Sequence, residues 1–440
     1  MYLKGRNKAM STLTGLGPVS DKNRIIALDI TRGVALLGIL LMNITGFGLD
    51  WMAYDDPTIQ GGHEGKNLWV WMINFMFFEG TMRGLFSLLF GVGMILMTSR
   101  MEERGGGIEV ADIYFRRNLW LLLFGIVHAY LLLWSGEILY AYAIFGMIIY
   151  GFRKMSVRNL ILFAAMLTLF GFLLKLYSYS GHMEDYANYQ LVNEIGEEAA
   201  SEETIESKEA WDSFVKQMKT SEEEVAANTE AMHGNYISLV FFIAKYNHYM
   251  QTSFIYDYYT WDVLVMMLLG IALYKARVIT AEKSYRYYGM MMLFGYGIGL
   301  TINYFELRQI LDNDFSVVSF QNAGLTYLFG RIGVTVGHIG LLMIFCKLNI
   351  LQFLRTSFAA VGKMALTNYV MHSVICAFVF YGIGFSLFGQ LERYELYYVV
   401  FGIWAFQMIA SPIWLKYYRY GPLEWLWRSL TYNKKQAFKK

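Results

Sequence analysis

The chain has 440 residues, 56% of them hydrophobic and only 16% charged, with a mean hydropathy of +0.35. A formal net charge of +2 with no basic cluster excludes an electrostatic nucleic-acid binder. Long apolar runs exclude an ordinary soluble globule and predict an all-α, polytopic membrane bundle.

Met1–Ser20 has no hydrophobic core, so residues 1–20 read as a disordered or interfacial segment rather than a cleavable signal peptide. The first span, about Ala27 to Leu49, then acts as an uncleaved signal-anchor. It carries an acid, a base and an amide, Asp29, Arg32 and Asn43. Ionisable groups in a span are costly and are functional hypotheses by default. Asp29 and Arg32 are neighbours at i, i+3. Arg32 and Asn43 are almost three turns apart on one face, roughly 16 Å along the axis, which predicts a polar stripe across much of the membrane.

Further runs of near-membrane length follow: Gly84–Thr98, extended upstream by Asn67–Phe78, then Asn118–Trp134, Ile138–Phe152 and Asn159–Tyr177. The second half adds Trp261–Tyr274, whose start reaches back toward Phe254–Tyr259, then Tyr287–Tyr304, Gly324–Phe345, Ala359–Phe385 and Tyr397–Tyr417. A hydrocarbon core of about 30 Å needs roughly 20 helical residues, which predicts about ten spans. Basic residues gather at Lys22 and Arg24, in Arg100–Arg117, Arg153–Arg158, Lys275–Arg286 and Lys347–Lys363, and after Lys416. All fall on one side when both termini are cytoplasmic. The segment Met183–Met232 holds fourteen Asp and Glu against three Lys, and reads as an extracytoplasmic insertion, either a helical hairpin or a mobile loop. The resulting organisation is 21–178 and 236–420 as two sets of transmembrane helices, 179–235 as the acidic insertion, and 421–440 as an interfacial helix with a basic tail. Cys346 and Cys376 lie inside spans and read as packing residues.

Candidate chemistry gathers near the outer surface: Asn43 through His63-Glu64, the hairpin His128–Glu137, and Asn235–Asp262. A histidine suits proton transfer near neutral pH, and a carboxylate can fix its tautomer. With the turn at Ser135-Gly136, helix rise alone sets Glu137 at the rim and His128 about two turns down, out of direct contact unless another group or a water bridges them. Glu79 and Arg83 sit at i, i+4, a spacing that lets them pair. Arg116 and Arg117 belong to a basic, glycine-containing loop region that could hold phosphates. His338 and His372 read as helix–helix hydrogen-bonding residues. Gly421–Tyr432 reads as an interfacial helix with no catalytic role.

Arg24–Asn43, Arg83–Gly93, Arg116–Glu137, Gly362-Lys363-Met364-Ala365-Leu366-Thr367-Asn368-Tyr369 and Gly421–Tyr432 together resemble the YeiB-type bacterial membrane proteins, a domain of unknown function. That resemblance, over nearly the whole chain, implies membership of a clan of transmembrane acyltransferases. The clan includes heparan-alpha-glucosaminide N-acetyltransferase and the acyltransferase-3 enzymes. It implies transfer of an acyl group, acetyl foremost, from cytoplasmic acetyl-CoA or another acyl-CoA to an extracytoplasmic sugar or lipid-linked glycan, without a metal. It also implies a multi-pass protein of the bacterial plasma membrane, in contact with lipid and forming a homodimer. The Asp, Arg-Gly and Asn of the first span resemble those of the heparan enzyme. Acyltransferase-3 proteins place a histidine where Asn43 stands; Tyr54 lies where the heparan enzyme's later histidine is expected, and His63 lies farther along. The resemblance therefore implies His128 or His63 as base, Glu137 to orient it, and Asn43 to donate to the thioester oxygen. Asp29, Arg32, Arg83, Arg116 and Arg117 would serve the nucleotide end of the donor. The rival readings are an exporter of a small anionic metabolite and an assembly scaffold built on the acidic insertion.

Overall fold

The computed structural model describes residues 24–348 and 350–440, so the expected segment 1–20 and Lys22 lie outside the described residues. Every named element among them is helical, with one isolated antiparallel bridge between Tyr418 and Lys439. In chain order the helices are α1 (Ile26–Gly48), α2 (Gly65–Ile73), α3 (Thr81–Glu103), α4 (Glu109–Tyr130), α5 (Leu139–Ile149) and α6 (Val157–Ile195). Then come α7 (Glu202–Met218), α8 (Glu222–Met232), α9 (Tyr236–Gln251), α10 (Val265–Lys275) and α11 (Tyr285–Leu311). Finally come α12 (Val317–Gly324), α13 (Tyr327–Lys347), α14 (Gln352–Lys363), α15 (Ala365–Phe380), α16 (Leu396–Tyr417) and α17 (Pro422–Thr431).

Among the described residues, five helical stretches are long and apolar enough to cross a membrane, or seven if two bent pairs each count as one. The expected ten exceeds this count. The remaining three expected spans are helices, but α4 carries Glu109, Asp112, Arg116 and Arg117, α5 has only 11 residues, and α11 carries Arg286, Glu306 and Arg308. The bent pairs are α9 with the stretch Ile255–Lys275 (60°) and α14 with α15 (84°). A π-helix over Ile255–Leu264 runs directly into α10, as the backward extension of that span predicted.

The segment 179–235 is helical rather than a loop. α6 continues 39 residues without a break, and α7 and α8 each start on a serine whose hydroxyl accepts an amide N–H of the first turn. Such caps satisfy backbone donors that would otherwise be orphaned. Trp211 of α7 is buried against Tyr186 of α6, at 4.9 Å between ring centroids, which anchors the acidic helix.

The buried core centres on α1, whose residues from Ala27 to Gly48 are mostly inaccessible. Glycines set the closest crossings. A Cβ on Gly362 would lie 1.9 Å from the Asp29 carbonyl oxygen, and one on Gly33 would lie 2.0 Å from that of Phe358. α1 and α14 therefore touch backbone to backbone at the level of Asp29, as small residues allow in membrane bundles.

Candidate functional site

The crossing of α1 and α14 fixes one side of a cavity of about 260 Å³. Among the described residues, Arg24, Arg32, Arg100, Arg117, Lys363 and Arg428 face it, against Asp29 and Glu424. Along α3 the lining runs from Arg100 to Phe86, fourteen residues or roughly 21 Å of helix. The deep end is apolar and aromatic, closed by Leu139, Tyr142 and Tyr369. The lining thus grades from cationic side chains at the mouth to apolar and aromatic ones within.

The mouth is built by specific pairing. Buried Asp29 accepts hydrogen bonds from Arg24 Nε (3.0 Å) and Nη2 (2.9 Å), and from Arg32 Nη1 (3.2 Å). The expected Asp29–Arg32 neighbours are therefore joined, with Arg24 as a third member. Arg117 stacks over the Trp427 ring at 3.5 Å, and the Trp427 indole N–H donates to the Arg117 carbonyl. Glu424 receives the amide N–H groups of Leu366 and Thr367 and the Thr367 hydroxyl, capping the start of α15. Burial pushes the Glu424 carboxyl above its usual range. The C-terminal helix, expected at the interface without a catalytic role, supplies Glu424, Trp427 and Arg428 to the cavity wall.

Behind the deep end lies a buried polar chain. His128 Nε2 is 2.7 Å from Ser373 Oγ, and His128 Nδ1 is 3.4 Å from Glu137 Oε1. The backbone N–H of Leu139 donates to Glu137 Oε1, and that of Tyr140 to Oε2 at 2.9 Å. All three side chains are almost fully buried. The expectation that His128 and Glu137 stay apart is overturned. After α4 ends at Tyr130 the chain does not project outward. Leu133 adopts φ 59°, Trp134 turns inward to stack on Phe47 at 3.7 Å, and Glu137 is carried back beside His128. The Tyr369 ring, which lines the cavity, meets His128 edge-on at 5.0 Å, and His128 itself is not in the lining. The buried Tyr369 hydroxyl and Trp134 indole N–H approach each other without a well-aligned hydrogen bond. Ser373 escaped the sequence reading; it lies one turn beyond Tyr369, the last residue of the Gly362–Tyr369 motif, on α15.

Arg83 does not reach the cavity. Gly80, at φ 69°, breaks the helix between Glu79 and Arg83, so the expected i, i+4 pair does not form. Arg83 Nε instead donates to Asp262 at 2.7 Å and its Nη2 to the Tyr327 hydroxyl at 3.1 Å. Glu79 pairs with Arg331 of α13, which also binds Glu306 and Asn303. This is an interhelical lattice of charges from distant parts of the chain.

The other expected residues divide. Arg116 pairs along α4 with exposed Asp112 and does not line the cavity. Asn43 is half-buried outside the lining, so the cavity does not follow the expected stripe beyond the level of Arg32. His63 sits on an exposed loop, edge-on to Phe315 at 6.1 Å, outside both the cavity and the His128 group. His338 bridges Tyr296 and the Phe77 carbonyl, and His372 meets Gln407 at 2.9 Å, as their structural reading expects. Cys346 and Cys376 are free and buried.

A family model described as "Protein of unknown function (DUF418)" matches residues 273–434. The chain is 31% identical over 417 residues to the uncharacterized protein YeiB of Escherichia coli, covering 93% of this chain and 96% of that one. It is 29% identical over 433 residues to the uncharacterized protein YxaH of Bacillus subtilis, covering 96% of this chain and 97% of the relative. No solved structure matches.

Proposed function

The chain belongs to the YeiB-type family of proteins with a domain of unknown function, and from that premise we propose that it transfers an acyl group from acyl-CoA to an acceptor across the membrane. The observation that carries this reading is the cavity, cationic at its mouth, apolar within, and ending one aromatic ring from a buried histidine–carboxylate pair. At about 260 Å³ it is smaller than the roughly 300–1,000 Å³ pockets of drug-sized ligands. It suits the thioester arm of a donor, while Arg32, Arg117, Lys363 and Arg428 at the mouth suit the phosphates of the nucleotide. Basic residues mark the cytoplasmic side of membrane proteins, so the mouth would face the compartment that holds acyl-CoA.

A thioester is already activated, so the protein must remove a proton from the acceptor and stabilise the developing oxyanion. Glu137, held by two backbone N–H groups, would keep the proton on His128 Nδ1 and leave Nε2 as the base. The acceptor would be a sugar hydroxyl or amine reaching His128 from the end opposite the mouth.

Calorimetric titration of the purified chain in detergent with acetyl-CoA and longer acyl-CoAs tests this reading. Arg32→Ala weakens binding at least tenfold, about 1.4 kcal/mol. Arg83→Ala leaves affinity unchanged, because Arg83 lies in the separate charge lattice. A folded protein that binds no acyl-CoA refutes the proposal and favours an anion carrier.

A further inference from the structure

We propose that Ser373 is a nucleophile that carries the acyl group as a covalent ester between donor and acceptor; this rests on the acyltransferase reading and deepens it. The order Ser373 Oγ, His128 Nε2, His128 Nδ1, Glu137 Oε1 is hydroxyl, base and orienting acid, with separations of 2.7 and 3.4 Å. A serine hydroxyl is a weak nucleophile unless an adjacent base takes its proton, and a third group must hold the base in the right tautomer. Each member comes from a different part of the chain: α15, α4, and the turn before α5. Buried packing would require only that His128 be satisfied. It does not require an acid on the other ring nitrogen that is itself fixed by two amide donors.

Position also favours Ser373 as the relay. It lies one turn beyond Tyr369, which closes the deep end of the cavity. A thioester advancing from the mouth past a rotated Tyr369 ring would meet Ser373 before any acceptor. In the first half-reaction the Ser373 Oγ–carbonyl carbon bond forms and the carbon–sulfur bond breaks. The serine proton passes to His128 Nε2 and then to the departing thiolate, giving free CoA. In the second, the acceptor oxygen or nitrogen bonds to the carbonyl carbon, the Ser373 Oγ–carbon bond breaks, and the acceptor's proton passes through His128 to the departing Ser373 Oγ. Donor and acceptor then never need to occupy the buried site together.

Incubation of the intact purified protein with acetyl-CoA, without acceptor, tests the assignment by intact mass and peptide mapping. Wild type gains one acetyl group on the peptide containing Ser373 and releases one equivalent of CoA thiol in a burst. Ser373→Ala and His128→Ala gain none, while both still bind acetyl-CoA in the cavity. Ser373→Cys forms a thioester adduct that hydroxylamine removes, a rescue that a packing role would not give. Acetyl-CoA binding with no adduct, or CoA release by Ser373→Ala at the wild-type rate, overturns the serine route and leaves direct transfer in place. Absence of acetyl-CoA binding by wild type overturns the acyltransferase reading itself.

Discussion

Replacing Glu137 with glutamine removes one charge and one acceptor from the centre of the His128 group. In the wild type, Oε1 receives the Leu139 amide and faces His128 Nδ1, while Oε2 receives the Tyr140 amide at 2.9 Å. Glutamine can keep its oxygen on the first pair only by turning its own NH₂ toward the Tyr140 N–H, donor against donor. An orphaned buried donor costs about 1–3 kcal/mol. Neutralising the acceptor also weakens the remaining bonds, since charge-assisted hydrogen bonds are roughly twice as strong as neutral ones. The Tyr140 end is only part-buried, so the cost lies in the lower part of that range, ~1–2 kcal/mol. The larger effect falls on chemistry. An amide in place of the orienting acid lets imidazole adopt the wrong tautomer, which costs on the order of 10⁴ in turnover where the acid is close. The 3.4 Å contact here is long, so a loss of about 10²–10³ in kcat is expected, with KM for acetyl-CoA little changed because Glu137 does not line the cavity. Steady-state release of CoA thiol, with denaturant unfolding in detergent as the fold control, measures both. A folded Glu137→Gln protein turning over at the wild-type rate refutes the proposed role of the histidine–carboxylate pair.

Glu424 makes stability depend on pH. Its carboxyl is raised above the ordinary value of 4.5 chiefly by burial, so the native state holds the proton more tightly than the unfolded chain. Its contribution is therefore greatest below the unfolded value and is lost as pH rises through the folded one. Glu424→Gln should flatten the pH dependence of Tm above about pH 4.5, with the two proteins converging in acid; parallel curves would contradict this. Gly362→Ala should cost at least 1–3 kcal/mol, because its Cβ meets the Asp29 carbonyl oxygen at 1.9 Å and neither backbone can yield cheaply. The same shift displaces the Asp29–Arg32 pair, so acetyl-CoA affinity falls with stability, and unchanged calorimetry would show that the crossing does not position the mouth.

What the sequence determined by itself is what local chemistry dictates. Apolar runs gave a helical membrane protein, i, i+3 spacing joined Asp29 to Arg32, and Pro422 near its start gave the C-terminal helix. Apolar runs put the span count at ten, whereas by length and composition five to seven stretches among the described residues pass, with α5 short and α4 charged in its first turns. Four things were decided only by tertiary structure, because each depends on how separate segments are brought together. Helix rise kept His128 and Glu137 apart, but the inward turn at Leu133 and Trp134 joins them. Spacing paired Glu79 with Arg83, but the Gly80 break and distant Arg331 and Asp262 repartnered both. The C-terminal helix became a cavity wall only because Trp427 found Arg117 and Glu424 found α15. Ser373 carried no signal as one serine in an apolar helix; it gains a chemical role from a histidine 245 residues away, a relation no local pattern encodes.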